Sequence, residues 1–133
     1  MSKENVDIVR RGFEAYSRRD VDGFLSHLDS EFELHSAIVG GAEGKVYRGH
    51  DGVRKWLADS DESFDDLTIE PTEFRDLGER VLVFGRIRTR GRESGVELDS
   101  PTGWVSTVRG GKLVKAEGFL SRDAALEAAG LRE

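Results

Sequence analysis

With no cysteine among its 133 residues, this chain has histidine as the side chain whose ordinary pKa lies nearest neutral pH, and it has three, His27, His35 and His50. An imidazole titrates in that range and can act as a general base when held beside a substrate. His35 is the candidate base, because it falls near the end of an expected strand, EFELHS, that follows directly on a short helix. The alternative is a histidine that only hydrogen-bonds at a pocket wall. His50, in YRGHD, is expected to bond backbone at the start of a helix, and His27 to lie on an exposed helix face. There is no HExxH or similar ligand spacing, so no metal site is expected. The stretch GGAEGK at 40–45 is one residue short of a phosphate loop, and Val46 stands where Ser or Thr is needed, so no cofactor is expected either. Tyr16, Tyr47, Trp56 and Trp104, with Phe13, are candidates to line a pocket for a flat or apolar ligand. Core packing is the competing reading for Phe13 and Trp56, which sit at helical spacing. Arg86, Arg88 and Arg90 could gather an anion, or form salt bridges across a strand face or a dimer.

The elements that must position these residues are written in the periodicity. Val6, Val9, Phe13 and Tyr16 form one stripe of a helix over 3–18, with Ser2 as its cap. Asp20 caps a two-turn helix through Val21, Phe24, Leu25 and Leu28. After a break at Asp29 and Ser30, Phe32, Leu34 and Ser36 alternate with Glu31, Glu33 and His35 as a first strand. A glycine-rich loop follows, with Val46 and Tyr47 dipping back inward, then a helix from His50 or Asp51 whose Val53, Trp56 and Leu57 share a face. The acidic run DSDESFDD reads as a solvated loop. The second half is strands. Pro71 implies an edge position or a bulge in the first of them. Over 80–90, Val81, Val83, Gly85 and Ile87 face one way and Leu82, Phe84, Arg86, Arg88 and Arg90 the other. A long strand over 96–108, with a possible bulge at Ser100 and Pro101, turns through RGG at 109–111 into a last strand over 112–120. Ser121 caps a closing helix that Gly130 ends.

Helices first and strands after give an α+β class: a cone-shaped, curved, mixed but mostly antiparallel sheet with three N-terminal helices on its concave face. The mouth between helices and sheet suits a small apolar pocket. The opposite face, carrying Leu82, Phe84 and the arginines, is expected to be free and to form a homodimer. The length fits a single domain over 1–133. Twenty basic residues against 26 acidic ones give a net charge of −6, which argues against nucleic-acid binding. The N-terminal SKENVDIVRR has no apolar signal segment, and no run approaches a membrane span, so a cytoplasmic protein is expected.

In this order, NVDIVRRGFEAYSRRDVDGFLSHLDSEFELH, VYRGHDGVRKWL and RGGKLVKAEGFLSRDAALEAAGL resemble the SnoaL-like branch of the nuclear transport factor 2-like superfamily, the fold of ketosteroid isomerase, limonene epoxide hydrolase and polyketide cyclases. The resemblance covers nearly the whole chain and contains no catalytic motif. It implies that His35 stands where ketosteroid isomerases keep a carboxylate base. Their tyrosine falls at Gly12 and their protonated aspartate at about Gly103. The acid/base aspartate of polyketide cyclases falls at Gly118, beside Glu117, which strand alternation turns outward. The expected function is thus binding of a small apolar molecule. It is accompanied either by cofactor-free isomerase, cyclase or hydrolase chemistry with His35 as base, or by no catalysis, in a ligand-binding or structural homodimer.

Overall fold

The computed structural model describes residues 2–37 and 45–131. The cap expected of Ser2 and the phosphate-loop-like stretch up to residue 44 lie outside the described residues. Helix α1 (Ser2–Ser17) buries Val9, Ala15 and Tyr16. It turns sharply into α2 (Val21–Ser26) through Arg19, at φ 58°, and Asp20, whose carboxylate accepts from Gly23 N at 2.9 Å. Arg19 Nη2 donates to Leu67 O at 2.7 Å, which ties that turn to the sheet. Strand β1 (Leu28–Ser36) follows, then β2 (Lys45–Arg48) and α3 (Gly49–Ser63). Strands β3 (Phe64–Leu77), β4 (Arg80–Gly91), β5 (Glu97–Arg109) and β6 (Lys112–Phe119) complete the sheet, and α4 (Arg122–Ala128) closes it.

The strands form one six-stranded sheet in the order β2-β1-β6-β5-β4-β3. Only the β1–β6 pair is parallel. Register shifts bend it: between Leu28 and Glu33 in β1, at Asp65/Thr68 and Pro71/Glu73 in β3, and at Thr107/Val108 in β5. The β3 bend lies over Gly85, where a Cβ would come within 2.0 Å of Glu70 O, so a side chain there would force the strands apart. Pro71, expected at an edge position or a bulge, thus occupies an edge strand next to a bulge. The β5–β6 hairpin turns at Gly110 and Gly111, φ 60° and 79°, the pair of left-handed residues that a tight turn of matching twist requires.

Three expectations are corrected. The acidic run is not a loop: Asp59 to Ser63 are the last turns of α3, and Phe64 already begins β3. No bulge occurs at Ser100 and Pro101, whose pairing with Ile87 and Arg86 is continuous. Strand β6 ends opposite Gly103, so at Pro101 β5 has a neighbour on one side only and its missing N–H breaks no ladder. The outer sheet face is not free. Leu82, Phe84 and Val105 are buried there beneath Ala125, Leu126 and Ala129 of the α4 segment. Ser121 caps that helix by accepting from Ala124 N, and Arg80 Nη2 donates to Ala129 O at 3.0 Å. The Arg122 guanidinium lies 3.8 Å from the Phe84 ring centroid. The apolar area on which a homodimer was expected is therefore covered by the chain itself. The strand-face arginines are spent within the chain too, Arg86 on Asp99 at 2.8 Å and Arg88 on Glu70 at 3.5 Å. A main core between helices and concave face and a smaller one under α4 thus bury the concave face and the part of the outer face that α4 covers.

Candidate functional site

The main core does not close. A cavity of ≈ 90 Å³ remains between α1, α2, α3 and the concave face of the sheet. Helical spacing brings Val9, Gly12, Phe13 and Tyr16 of α1 to one side, with Phe24 of α2 and Trp56 of α3 beside them. Strand alternation supplies the floor: Leu34 and Ser36 from β1, Trp104 and Ser106 from β5, Leu113, Ala116 and Gly118 from β6, and Ile69 and Ile87 from the far strands. The aromatic rings brace one another. Phe13 meets Trp104 edge-on at 5.2 Å, Tyr16 meets Phe24 at 6.0 Å, and Tyr16 lies 5.6 Å from Trp56.

Four of the five aromatic candidates, Phe13, Tyr16, Trp56 and Trp104, come together here. Burial pushes the Tyr16 phenol up, more than its hydrogen bond to Arg19 pulls it down, so it stays a neutral hydroxyl. Trp56 donates its Nε1–H to Ser36 Oγ at 3.2 Å, fixing the indole against β1. Tyr47 is not brought to the cavity. It pairs with Leu34 in the β1–β2 ladder and is buried, and its hydroxyl donates to Asp59 Oδ2 on α3 at 2.7 Å. Burial, then that bond, raise the Tyr47 pKa well above the ordinary phenol range. The same bond, with Lys55 adding to it, holds the Asp59 carboxyl below its own.

His35 borders the cavity between Leu34 and Ser36, but alternation turns its imidazole to the outer side of β1, in register with Glu117. Its imidazole Nε2 is 3.2 Å from Glu33 Oε1, two residues back on the same face of β1, and Glu33 Oε2 is 3.1 Å from Arg48. The bond to His35, with Arg48 behind it, keeps the Glu33 carboxyl below the usual carboxylate range. A carboxylate can only accept, so Nε2 is the donor in that bond. Register places Glu117 beside His35 on β6. Ala116 and Gly118 line the cavity while Glu117 pairs with Lys115 at 3.7 Å, so Glu117 faces outward as alternation required. His50 Nε2 bonds Leu28 O at 3.0 Å, tying the start of α3 to β1. Gly12 and Gly118 line the cavity, where a Cβ would sit 3.4 Å from Leu113 at the first and 3.2 Å from Ala37 at the second. Gly103 faces the other way, where a Cβ would sit 2.4 Å from Ala125 Cβ. Sequence reasoning missed Ser106, although its place two residues after Trp104 on one strand already put both on one face. Among the described residues no group of three His, Asp or Glu side chains is arranged to hold a metal ion. No described helix is long and apolar enough to cross a membrane.

No curated protein matches the chain. Among solved structures it is similar to an NTF2-like protein of unknown function from Burkholderia pseudomallei K96243, at 25% identity over 96% of both chains with a TM-score of 0.78. It is likewise similar to an NTF2-like protein from Burkholderia xenovorans LB400, at 28% identity over 97% of both chains with a TM-score of 0.76. TerC, co-crystallised with polyporic acid, is 25% identical over 93% of this chain and 96% of its own, with a TM-score of 0.78. The family model for the SnoaL-like domain matches residues 9–116, from the middle of α1 into β6 and across every element that walls the cavity, and the chain belongs to that family.

Proposed function

We propose that this protein binds a small, mainly apolar molecule in the cavity between its helices and its sheet. One observation carries the reading: between the helices and the concave face a space of ≈ 90 Å³ stays open, walled by aromatic rings and aliphatic side chains with no lysine, arginine or carboxylate among the described residues that line it. The co-crystallisation of the similar TerC with polyporic acid supports a small-molecule role. Both tryptophans of the chain line the space, so their two indole N–H signals report on occupancy. Titration with cyclopentanone, followed by proton–nitrogen correlation NMR, is expected to shift both signals together and saturably. If small apolar probes of this size leave both unmoved, the reading fails.

Catalysis with His35 as base is not part of this reading, because strand alternation turns its imidazole to the outer side of β1, where Glu33 holds it, away from the bound molecule. The test is deuterium uptake next to the carbonyl of cyclopentanone in heavy water. Uptake no faster than in buffer is expected, whereas catalysed uptake that His35→Ala abolishes would return His35 to the site as a base.

A further inference from the structure

We infer that Ser106 is the polar anchor of this cavity and selects a neutral ligand carrying a hydrogen-bond acceptor of the carbonyl class. The inference rests on the cavity being a binding site. Ser106 is 3% exposed and lines the cavity from the middle of β5. Its neighbours across the ladder are Val81 on β4 and Ala116 on β6, neither with a polar side chain. Among the described residues its hydroxyl has no hydrogen-bond partner.

The buried threonine hydroxyls in this sheet are satisfied by backbone. Thr89 donates to Asp65 O at 2.9 Å and Thr102 to Ser100 O at 3.2 Å. A buried hydroxyl without a partner is unfavourable, and one facing an open space is satisfied by whatever enters it, water or ligand. Trp104, two residues earlier and also lining the cavity, has an indole N–H with no acceptor among the described residues. An indole can only donate. Ser106 and Trp104 therefore both accommodate an acceptor, whereas a ligand group that can only donate suits the serine alone. Among the described residues no lysine, arginine or carboxylate lines the space, so a carboxylate or ammonium would be buried there without a compensating charge and a neutral acceptor is selected.

The experiment compares cyclopentanone with methylenecyclopentane, in which a CH₂ group replaces the carbonyl oxygen at nearly the same shape. Both are titrated into the wild-type protein and Ser106→Ala while the indole N–H signals are followed. Loss of one neutral hydrogen bond is expected to weaken cyclopentanone about fivefold in Ser106→Ala. Methylenecyclopentane is expected to bind the variant as well as the wild type or better. If the variant weakens both probes alike, or neither, or if the wild type takes only the hydrocarbon, the anchor is refuted while the cavity remains a binding site. If neither probe binds the wild type, the binding reading fails and the anchor with it. The unliganded proteins give an independent check: Ser106→Ala is expected to melt no lower than wild type, because it removes a hydroxyl that no group among the described residues satisfies. A lower melting temperature would mean the hydroxyl has a partner in the chain, and would overturn the premise.

Discussion

Filling the cavity should make the protein more stable and unable to bind. Ala116 lies on the cavity floor, paired with Leu34 of β1 on one side and Ser106 of β5 on the other, and Ala116→Leu sends three more carbons into the space between them. At about 24 cal/mol per Å³ of void, a space of ≈ 90 Å³ leaves the fold about 2 kcal/mol short of a filled core. Imperfect fit removes part of that gain. The expected outcome is a rise of about 1–2 kcal/mol in unfolding free energy, read as a higher urea midpoint at unchanged slope. The two indole N–H signals should meanwhile stop responding to cyclopentanone. A fall in stability of about 1 kcal/mol or more, with the slope unchanged, is the signature of overpacking. It would show that the space is already occupied by side chains in solution, and would refute both the packing argument and the binding proposal built on it.

Tyr47→Phe removes the hydroxyl bonded to Asp59 and is expected to lower stability by about 1 kcal/mol without changing cyclopentanone affinity, because Tyr47 stands outside the cavity. Changed affinity in that variant would put Tyr47 back among the ligand contacts. Gly103→Ala drives a methyl group against Ala125 of α4 and should cost about 1–3 kcal/mol in a denaturant melt. A neutral result would mean α4 does not rest on the sheet. Asp20→Ala removes the cap of α2 and is expected to cost about 1 kcal/mol by the same assay. Burial, with Arg11 and Lys112 adding to it, depresses the His27 pKa, so below about pH 6.5 the unfolded chain takes up a proton more readily than the folded one. Stability should therefore fall as the pH drops below that value. His27→Gln should flatten that part of the profile, and an unchanged profile in the variant would assign the effect to another group.

Much of the architecture was legible because single patterns determined it. The two faces of β4, the Asp20 cap, the edge position of Pro71 and the RGG turn each follow from local sterics or a period of two. The acidic run after Leu57 misled because exposed helix turns and solvated loops share a composition, and only the docking of α3 on β1 distinguishes them. The placement of α4 was hidden for a different reason. Ala125, Leu126 and Ala129 announce an apolar stripe, yet nothing local says which sheet face will receive it. At the site, alternation was the better guide than residue chemistry. Phe32, Leu34 and Ser36 face in, so Glu33 and His35 share the other side of β1, and the imidazole finds a carboxylate there. Tyr47 obeys the same alternation, but its hydroxyl is claimed by Asp59, twelve residues on, a contact that depends on how α3 folds back.

The position of β6 bears on how the chain must assemble. Strands β2 and β1 on one side and β5, β4 and β3 on the other are joined in the sheet only through β6, which is the last strand to be synthesised. Until Lys112 to Phe119 have emerged, a nascent chain holds two unconnected half-sheets, and β1 presents an unpaired edge over most of its length. Joining them pairs Leu34 with Ala116 across most of the chain, the kind of distant closure that slows folding and prolongs exposure to edge-to-edge association. The strand that supplies Leu113, Ala116 and Gly118 to the cavity is therefore also the kinetic keystone, and the binding space comes into being only at the step that commits the chain to its fold.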